Sequence, residues 1–554
     1  MAAAAEPTPY PVLRMSTSAA TSRAFPPPAP LRSGLACAGW APRADFNHPL
    51  AAPPPAAPPP AGNPIRGFID TMVPREGHPK PHIPLSLGDP TVYGNFALPP
   101  TLRALAHEAI ECVARVARAR ARPVTCPRLP LTAPPNTPPY RPTSSLKWNG
   151  YQHSTGAAEA RAAVAAVYNG AGVPGLPVLG ADVRIFFCLA PPALLPCSAP
   201  FCAASARAPP AAPPTPTNST LPPPPQDVVI ASGCSHALDL AITALLNPGD
   251  ALLVPRPGFP LYTTLCESRG IRVLQYACDP HRDWEVDLAH LGGLLRAEGA
   301  AAAARPGAAV ALLLNNPSNP CGSVWADAHL REVMALAEGA RVPVIADEIY
   351  WRLPFPRLGR SPLPAAGATR AVPVLTVGGI AKEFMVPGWR LGWVCVHDRG
   401  GALREVKRGL KALSQLVMGA NTVVQALLPR LLTPAAGGEE AAALAAWRGD
   451  TLARLQAHAE FTVARLRAIP GLLVVEPQGA MYCMFRVPAG AGGAHDDLAF
   501  ARGLLEEENV FVLPGSAFSA PGFCRVVITP PLEKLGEAFE RMAGYVARAF
   551  TAQA

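Results

Sequence analysis

From Asp227 onward, short runs that are apolar throughout alternate with longer amphipathic ones, and this rhythm restricts the fold more than any other feature of the chain. DVVIA precedes the helix-patterned CSHALDLAITALL. ALLVP, RVLQY, AVALLLN, VPVIA, PVLTV and GWVCV follow in turn, with YTTLCESRG, VDLAHLGGLLRAEG and DAHLREVMALAEGA between them. A strand with one wet face alternates polar and apolar residues, whereas a run that is apolar at every position is buried on both faces. The pattern predicts an α/β fold with a large, mostly parallel sheet covered by helices. After about residue 435 it changes to a long Ala-rich helix over 439–466, then short strands and a closing helix, which predicts a smaller α+β domain. The expected division is an Ala/Pro-rich N-terminal region over 1–62, an arm over 63–100 contributing to the smaller domain, a large domain over 101–435 and the small domain over 436–554.

Two stretches break the rhythm, one over about 116–145 and one over about 184–226. Both are proline-rich and aperiodic, in a chain with 70 prolines. Stretches this long inside a compact domain read either as unstructured insertions or as sequence foreign to the mature protein. The second ends in LPPPPQ directly before DVVIA, as a translated pyrimidine-rich intron end would, so a retained intron is the expectation. A spliced message that still encodes both stretches would refute it. The first 60 or so residues, with Glu6 and Asp45 as their only acids, read equally as an organelle transit peptide or as an unstructured tail. The compartment stays open between cytoplasm and plastid or mitochondrion. GAGVPG (170–175) matches a dinucleotide-binding pattern, but it follows a helical segment and carries Pro174, so it is a turn.

The net charge of +9 is spread along the chain, which suits small acidic ligands better than nucleic acid. The 13 cysteines show no paired metal-ligand spacing, so no metal is expected, and no apolar stretch has the length and composition of a membrane span. Positive charge is written almost entirely as arginine: of 48 Lys plus Arg, six are lysines. Lys382 is the only lysine between Lys147 and Lys407, and it sits in the apolar GGIAKEFMVPGWRLGW. A surface charge can be either residue, but an amine that forms an imine cannot be a guanidinium.

In open α/β sheets ligands bind beyond the carboxyl ends of the strands. Ser232, Gly233 and Cys234 follow DVVIA, and Phe259 follows ALLVP. Asn319 follows AVALLLN, Asp347 and Tyr350 follow VPVIA, and Lys382 follows PVLTV. A helix start, an aromatic ring, an amide, an acid, a phenol and an amine on one edge match the needs of pyridoxal phosphate. NPIRGFID, SLGDPTVYGN, IASGCSHALDL, LLVPRPGFPLY, NNPSNPCGSV, ADEIY, GGIAKEFMVPGWRLGW, PQGAMYCMF and RVVIT together resemble the class I, fold type I aminotransferases, the tyrosine aminotransferase branch most closely.

The resemblance implies a large pyridoxal-phosphate-binding domain in which Lys382 holds the cofactor and moves the substrate proton. It implies that Asp347 pairs with the cofactor's ring nitrogen and that Tyr350 and Asn319 donate to its phenolic oxygen. Phe259 would stack on the ring. Gly233, Cys234, Ser232 and Arg390 would hold the phosphate, with Tyr151 reaching it from the second subunit of a homodimer that shares its active sites. Arg525 would bind the substrate carboxylate, with Gly88 and Asn319 beside it. The reaction implied is transamination of tyrosine, and of other aromatic amino acids, with 2-oxoglutarate.

Three positions depart from the family pattern. Gly379 stands where much of the class has a hydroxyl residue, Glu383 where a basic residue is expected, and His153 where a proline is. The alternatives are a related enzyme on the same fold, such as a C–S β-lyase or an alanine-type aminotransferase, and an inactive proline-rich interaction protein.

Overall fold

A computed structural model describes residues 63–86, 88–100, 102–104, 106, 151–171, 227–304, 308–490 and 495–550. The expected proline-rich insertions and the N-terminal region over 1–62 lie outside them.

In chain order the strands are β1 (Ile83–Pro84), β2 (Val228–Ala231), β3 (Ala251–Arg256), β4 (Arg272–Asp279), β5 (Glu285–Val286), β6 (Val310–Asn315) and β7 (Val344–Asp347). They continue with β8 (Val374–Gly379), β9 (Gly392–His397), β10 (Leu473–Val475), β11 (Tyr482–Arg486), β12 (Val510–Phe511), β13 (Leu513–Pro514) and β14 (Phe523–Val527). Eight of them form one sheet in the order β2-β9-β8-β7-β6-β3-β4-β5. The run from β8 through β7, β6 and β3 to β4 is parallel, while β9 is antiparallel to both β2 and β8. The mostly parallel sheet expected from the apolar runs is present, and every residue of β2, β6, β7, β8 and β9 is buried.

Successive strand residues feed opposite layers, as the two-residue period of a strand demands. Val229, Leu252, Leu313 and Leu375 pack beneath the helices Gly233–Leu245 and Arg404–Val417. Val228, Leu253, Leu312 and Val344 belong to the other layer with the helices Ala158–Gly170 and Asp327–Gly339. At about 25 cal/mol per Å² of apolar surface removed from water, this double covering is the main stabilising contribution to the sheet.

A second, antiparallel sheet has the order β10-β11-β14-β13 and packs with the helices Glu439–Arg467, Asp497–Glu508 and Leu532–Ala549. Asp496 starts the second of these, its side chain accepting from the Ala499 N–H at 2.9 Å. The N-terminal β1 pairs in parallel with β12, Ile83 opposite Val510, which brings Ser86 and Gly88 to the junction of the two sheets. No described helix is long and apolar enough to cross a membrane, and among the described residues no group of three or more His, Cys, Asp or Glu could hold a metal ion.

Candidate active site

The carboxyl ends of β3, β6, β7 and β8, the start of the helix Gly233–Leu245 and residues from the second sheet open onto one cavity of about 340 Å³. Strand order reverses beside β3, which is where an open α/β sheet offers a crevice.

Asp347 is the last residue of β7 and is 3% exposed. The Tyr262 hydroxyl donates to its Oδ2 at 2.7 Å, the Ile349 N–H to its Oδ1 at 3.2 Å, and the Cys234 thiol reaches the same oxygen at 3.7 Å. Burial holds the carboxyl up at about 6, against the downward pull of those three donors. A buried carboxylate without a cation is costly, and a protonated ring nitrogen placed against it would remove that cost.

Asn319 and Tyr350 lie to one side. Asn315 Oδ1 accepts from the Asn319 N–H at 2.8 Å, and Asn315 Nδ2 donates to the Asp347 carbonyl at 3.1 Å, so the ends of β6 and β7 are tied together. The Tyr350 hydroxyl lies 2.7 Å from that of Tyr482. Arg525, on β14, donates from Nη1 to Asn319 Oδ1 at 2.8 Å and from Nη2 to the Ser86 carbonyl. Its guanidinium lies over the rings of Tyr482 and Phe518, 4.4 and 4.7 Å from their centroids, and its Nε is buried without a partner among the described residues. Lys382, in the single helical turn Ile380–Glu383, donates to the Gly88 carbonyl inside the cavity. Phe259 lines the wall and meets Tyr262 edge-on, with centroids 5.7 Å apart.

At the far end, Gly233 (φ +80°) opens its helix with N–H groups directed outward. The guanidinium of Arg390 is pressed against it so closely that a Cβ there would sit 2.4 Å from Nη2. This end is an anion cradle made of a helix N-terminus and a permanent cation. Anion cradle, carboxylate, hydroxyl and amide donors and a primary amine in one cavity fit pyridoxal phosphate.

Of the residues singled out from sequence, Cys234, Phe259, Asn319, Asp347, Tyr350, Lys382, Arg390, Arg525 and Gly88 line the cavity. Gly233 borders it through Arg390. Ser232 is not a lining residue; its N–H donates to His236 Nδ1 at 3.1 Å and its carbonyl accepts from Arg390. Tyr151 is 89% exposed and lies outside the cavity of its own chain. His153 closes a local turn, its Nδ1 lying 2.7 Å from Thr155 Oγ1. Glu383 points away from Lys382 and pairs with Arg352 at 3.0 Å and with Arg448. Sequence reading missed Tyr262, Tyr482, Ser86 and Phe518. The quoted motifs contained both tyrosines, but their partners lie 85 and 132 positions away in the chain.

Glu348, beside Asp347, is 7% exposed; its Oε1 accepts from the Ala365 N–H at 2.7 Å and its Oε2 has no partner among the described residues. Burial pushes its carboxyl up to about 8. Between its ordinary range and about 8, the folded chain holds a proton that the unfolded chain releases, so stability falls as pH rises through that window. Glu348→Gln is expected to flatten this slope, gaining roughly 1–4 kcal/mol relative to the parent between pH 5 and pH 8. Urea unfolding of both proteins at the two pH values checks it, and parallel pH profiles would refute it.

Comparison with known proteins agrees with this geometry. The family model for aminotransferase class I and II matches residues 217–542. Tyrosine aminotransferase of Mus musculus is 34% identical over 484 residues, covering 87% of this chain and 84% of that protein. The Dictyostelium discoideum tyrosine aminotransferase is 41% identical over 320 residues, 57% of this chain and 73% of that protein. Among solved structures, tyrosine aminotransferase from Leishmania infantum superposes with a TM-score of 0.64 at 28% identity, covering 88% of this chain and 96% of that one.

Proposed function

We propose, for a chain that belongs to the class I and II aminotransferase family and depends on pyridoxal phosphate, that it transfers the amino group of tyrosine to 2-oxoglutarate. The products are 4-hydroxyphenylpyruvate and glutamate. One observation carries the reaction type: a single cavity is lined by an amine (Lys382), a buried carboxylate (Asp347), a phenol (Tyr350) and a buried guanidinium (Arg525). The preference for tyrosine rests on the likeness to tyrosine aminotransferases.

What the cofactor supplies when bound is a carbonyl carbon that accepts the amino group and a ring that takes up the electron pair left on the substrate's Cα. The chain does the rest. Lys382 would hold the cofactor through its amine, and that amine, when free, would take up the proton of the substrate's Cα. Asp347 would keep the ring nitrogen protonated. Tyr350 would donate to the phenolic oxygen, and so would Asn319, whose Oδ1 is engaged by Arg525 and whose amide nitrogen is left to donate. The amides of Gly233 and Cys234, with Arg390, would hold the phosphate, and Phe259 would cover the ring; Ser232, outside the cavity lining, would act only through its carbonyl on Arg390. Arg525 takes the substrate carboxylate beside Gly88.

The enzyme acts as a homodimer in which Tyr151 reaches the phosphate of the other subunit. The exposed Tyr151 supports this, as does the neighbouring exposed run Leu416, Val417 and Met418, which a Ser154–Ser414 hydrogen bond of 3.1 Å ties to the Tyr151 segment. An apolar surface of this kind is buried when subunits associate. Sedimentation at micromolar concentration should give a dimer.

The acceptor differs from tyrosine in its second carboxylate. Arg66 lines the cavity from the N-terminal helix Pro64–Thr71 and has no ion-pair partner among the described residues. Arg66→Gln should raise the KM for 2-oxoglutarate about tenfold or more while leaving that for tyrosine within about twofold. Steady-state kinetics with each substrate varied in turn checks this. The reaction itself is tested by product analysis with tyrosine and 2-oxoglutarate. Formation of 4-hydroxyphenylpyruvate and glutamate in equal amounts is expected; ammonia plus pyruvate from a cysteine conjugate, without transamination, would overturn the reading in favour of β-elimination.

A further inference from the structure

The Tyr350 and Tyr482 hydroxyls meet where the two sheets join. Tyr350 follows β7 of the large sheet, whereas Tyr482 opens β11 of the small one, next to the strand that carries Arg525. Their oxygens are 2.7 Å apart and their rings meet edge-on, with centroids 5.7 Å apart. Both side chains are buried, at 3% and 2% exposure. The contact admits a single shared proton. With Tyr482 as the donor, the Tyr350 proton is free to point into the cavity.

The surroundings of Tyr482 favour such a role. Its oxygen lies so near Gly88 that a Cβ there would come within 2.3 Å, and the Gly88 carbonyl accepts from Lys382. The Arg525 guanidinium stands 4.4 Å from the centre of its ring.

We infer that Tyr482 is a positioning residue: its hydroxyl aims the Tyr350 hydroxyl into the cavity, and its ring holds the Arg525 guanidinium, so that carboxylate capture and donation to the cofactor's phenolic oxygen are set by one side chain. The inference rests on the roles given above to Tyr350 and Arg525, and extends them to a residue with no role of its own in that scheme.

The two halves of the role separate chemically. Tyr482→Phe keeps the ring and removes the hydroxyl; Tyr482→Leu removes both. With pyridoxal phosphate bound, the visible band of the parent titrates with pH as the nitrogen joined to Lys382 loses its proton. A weaker donor to the phenolic oxygen leaves more electron density on that conjugated system, so Tyr482→Phe should shift the midpoint upward by about half to one pH unit, the size of one net hydrogen bond. In a Tyr350→Phe background the same change should add nothing, because the hydroxyl through which Tyr482 acts is gone. Binding of 3-(4-hydroxyphenyl)propionate, which carries the carboxylate and no amine, should stay within about twofold in Tyr482→Phe and weaken by about three- to thirtyfold in Tyr482→Leu.

An unshifted midpoint in Tyr482→Phe, or an equal shift in the Tyr350→Phe background, overturns the inference. If the parent forms no visible band, the proposed function fails instead. The contact can then still be read in the cofactor-free protein by a Tyr350→Phe/Tyr482→Phe cycle in urea unfolding, where additive losses would overturn the hydroxyl pairing. The same cycle decides the matter if Tyr482→Leu does not fold.

Discussion

Lys382→Ala is expected to abolish the visible band that the parent forms with pyridoxal phosphate and to lower turnover by on the order of 10⁴-fold or more. General base catalysis alone supplies about 10² to 10⁴, and this substitution also removes the covalent anchor. Among the described residues Lys382 is the only lysine that lines the cavity, so none of them offers a second amine. Its neighbours clamp the backbone: Ile380, Ala381, Phe384 and Met385 are all buried, so the amine reaches the Gly88 carbonyl from a fixed base. The fold does not depend on that amine, and thermal unfolding of the cofactor-free variant should match the parent within a few degrees. Lys382→Arg should be no better than alanine in either assay, since a guanidinium keeps its proton. Small primary amines added in solution should restore part of the activity of the alanine variant but not the covalent link between cofactor and chain. A variant that retains the band would refute the assignment outright.

Arg525→Leu should lower kcat/KM for tyrosine by about 10² to 10³, mainly through KM, because truncating one partner of a buried charge pair costs about 2–5 kcal/mol. Arg525 is 2% exposed, yet no carboxylate pairs with it among the described residues, and its ligands are an amide oxygen and a backbone carbonyl. Burial pushes its pKa down, but a guanidinium stays charged in a protein. The structure therefore holds a desolvated cation, and the proposed complement is the carboxylate of the substrate. Two checks isolate that role. Tyramine, which lacks the carboxylate, should bind parent and variant equally. The variant should also unfold at no lower temperature than the parent, since a buried charge without a counter-ion does not favour the folded state. Equal loss of affinity for tyrosine and tyramine would mean that the substitution had collapsed the cavity.

Part of the site was legible in the sequence because Cys234, Asn319, Asp347, Tyr350 and Lys382 lie at or just beyond the ends of strands. Apolar runs marked β2, β3, β6, β7 and β8, and the residues after them were the ones that an open sheet brings to one edge. Asn319, Asp347 and Lys382 were singled out in that way, and all three line one cavity. Their partners were not. The Tyr262 hydroxyl on Asp347, the Phe518 ring under Arg525 and the Ser86 carbonyl beside it depend on how loops and the second sheet pack, which no local periodicity encodes. Glu383 shows the same limit. Adjacent to Lys382 in the chain, it could have perturbed the amine or turned away, and only the approach of Arg352 and Arg448 from 31 positions before and 65 positions after decides that it turns away.

The chain by itself therefore determined the layered α/β architecture and the chemical types gathered at its strand ends, because strand and helix periods and backbone direction are local properties. Tertiary structure alone decided which hydroxyl steadies which acid, that Arg525 is buried without a counter-ion, and that Tyr482 bridges the two sheets. Those outcomes depend on distances between residues far apart in sequence, and on the withdrawal of water that makes each such contact matter.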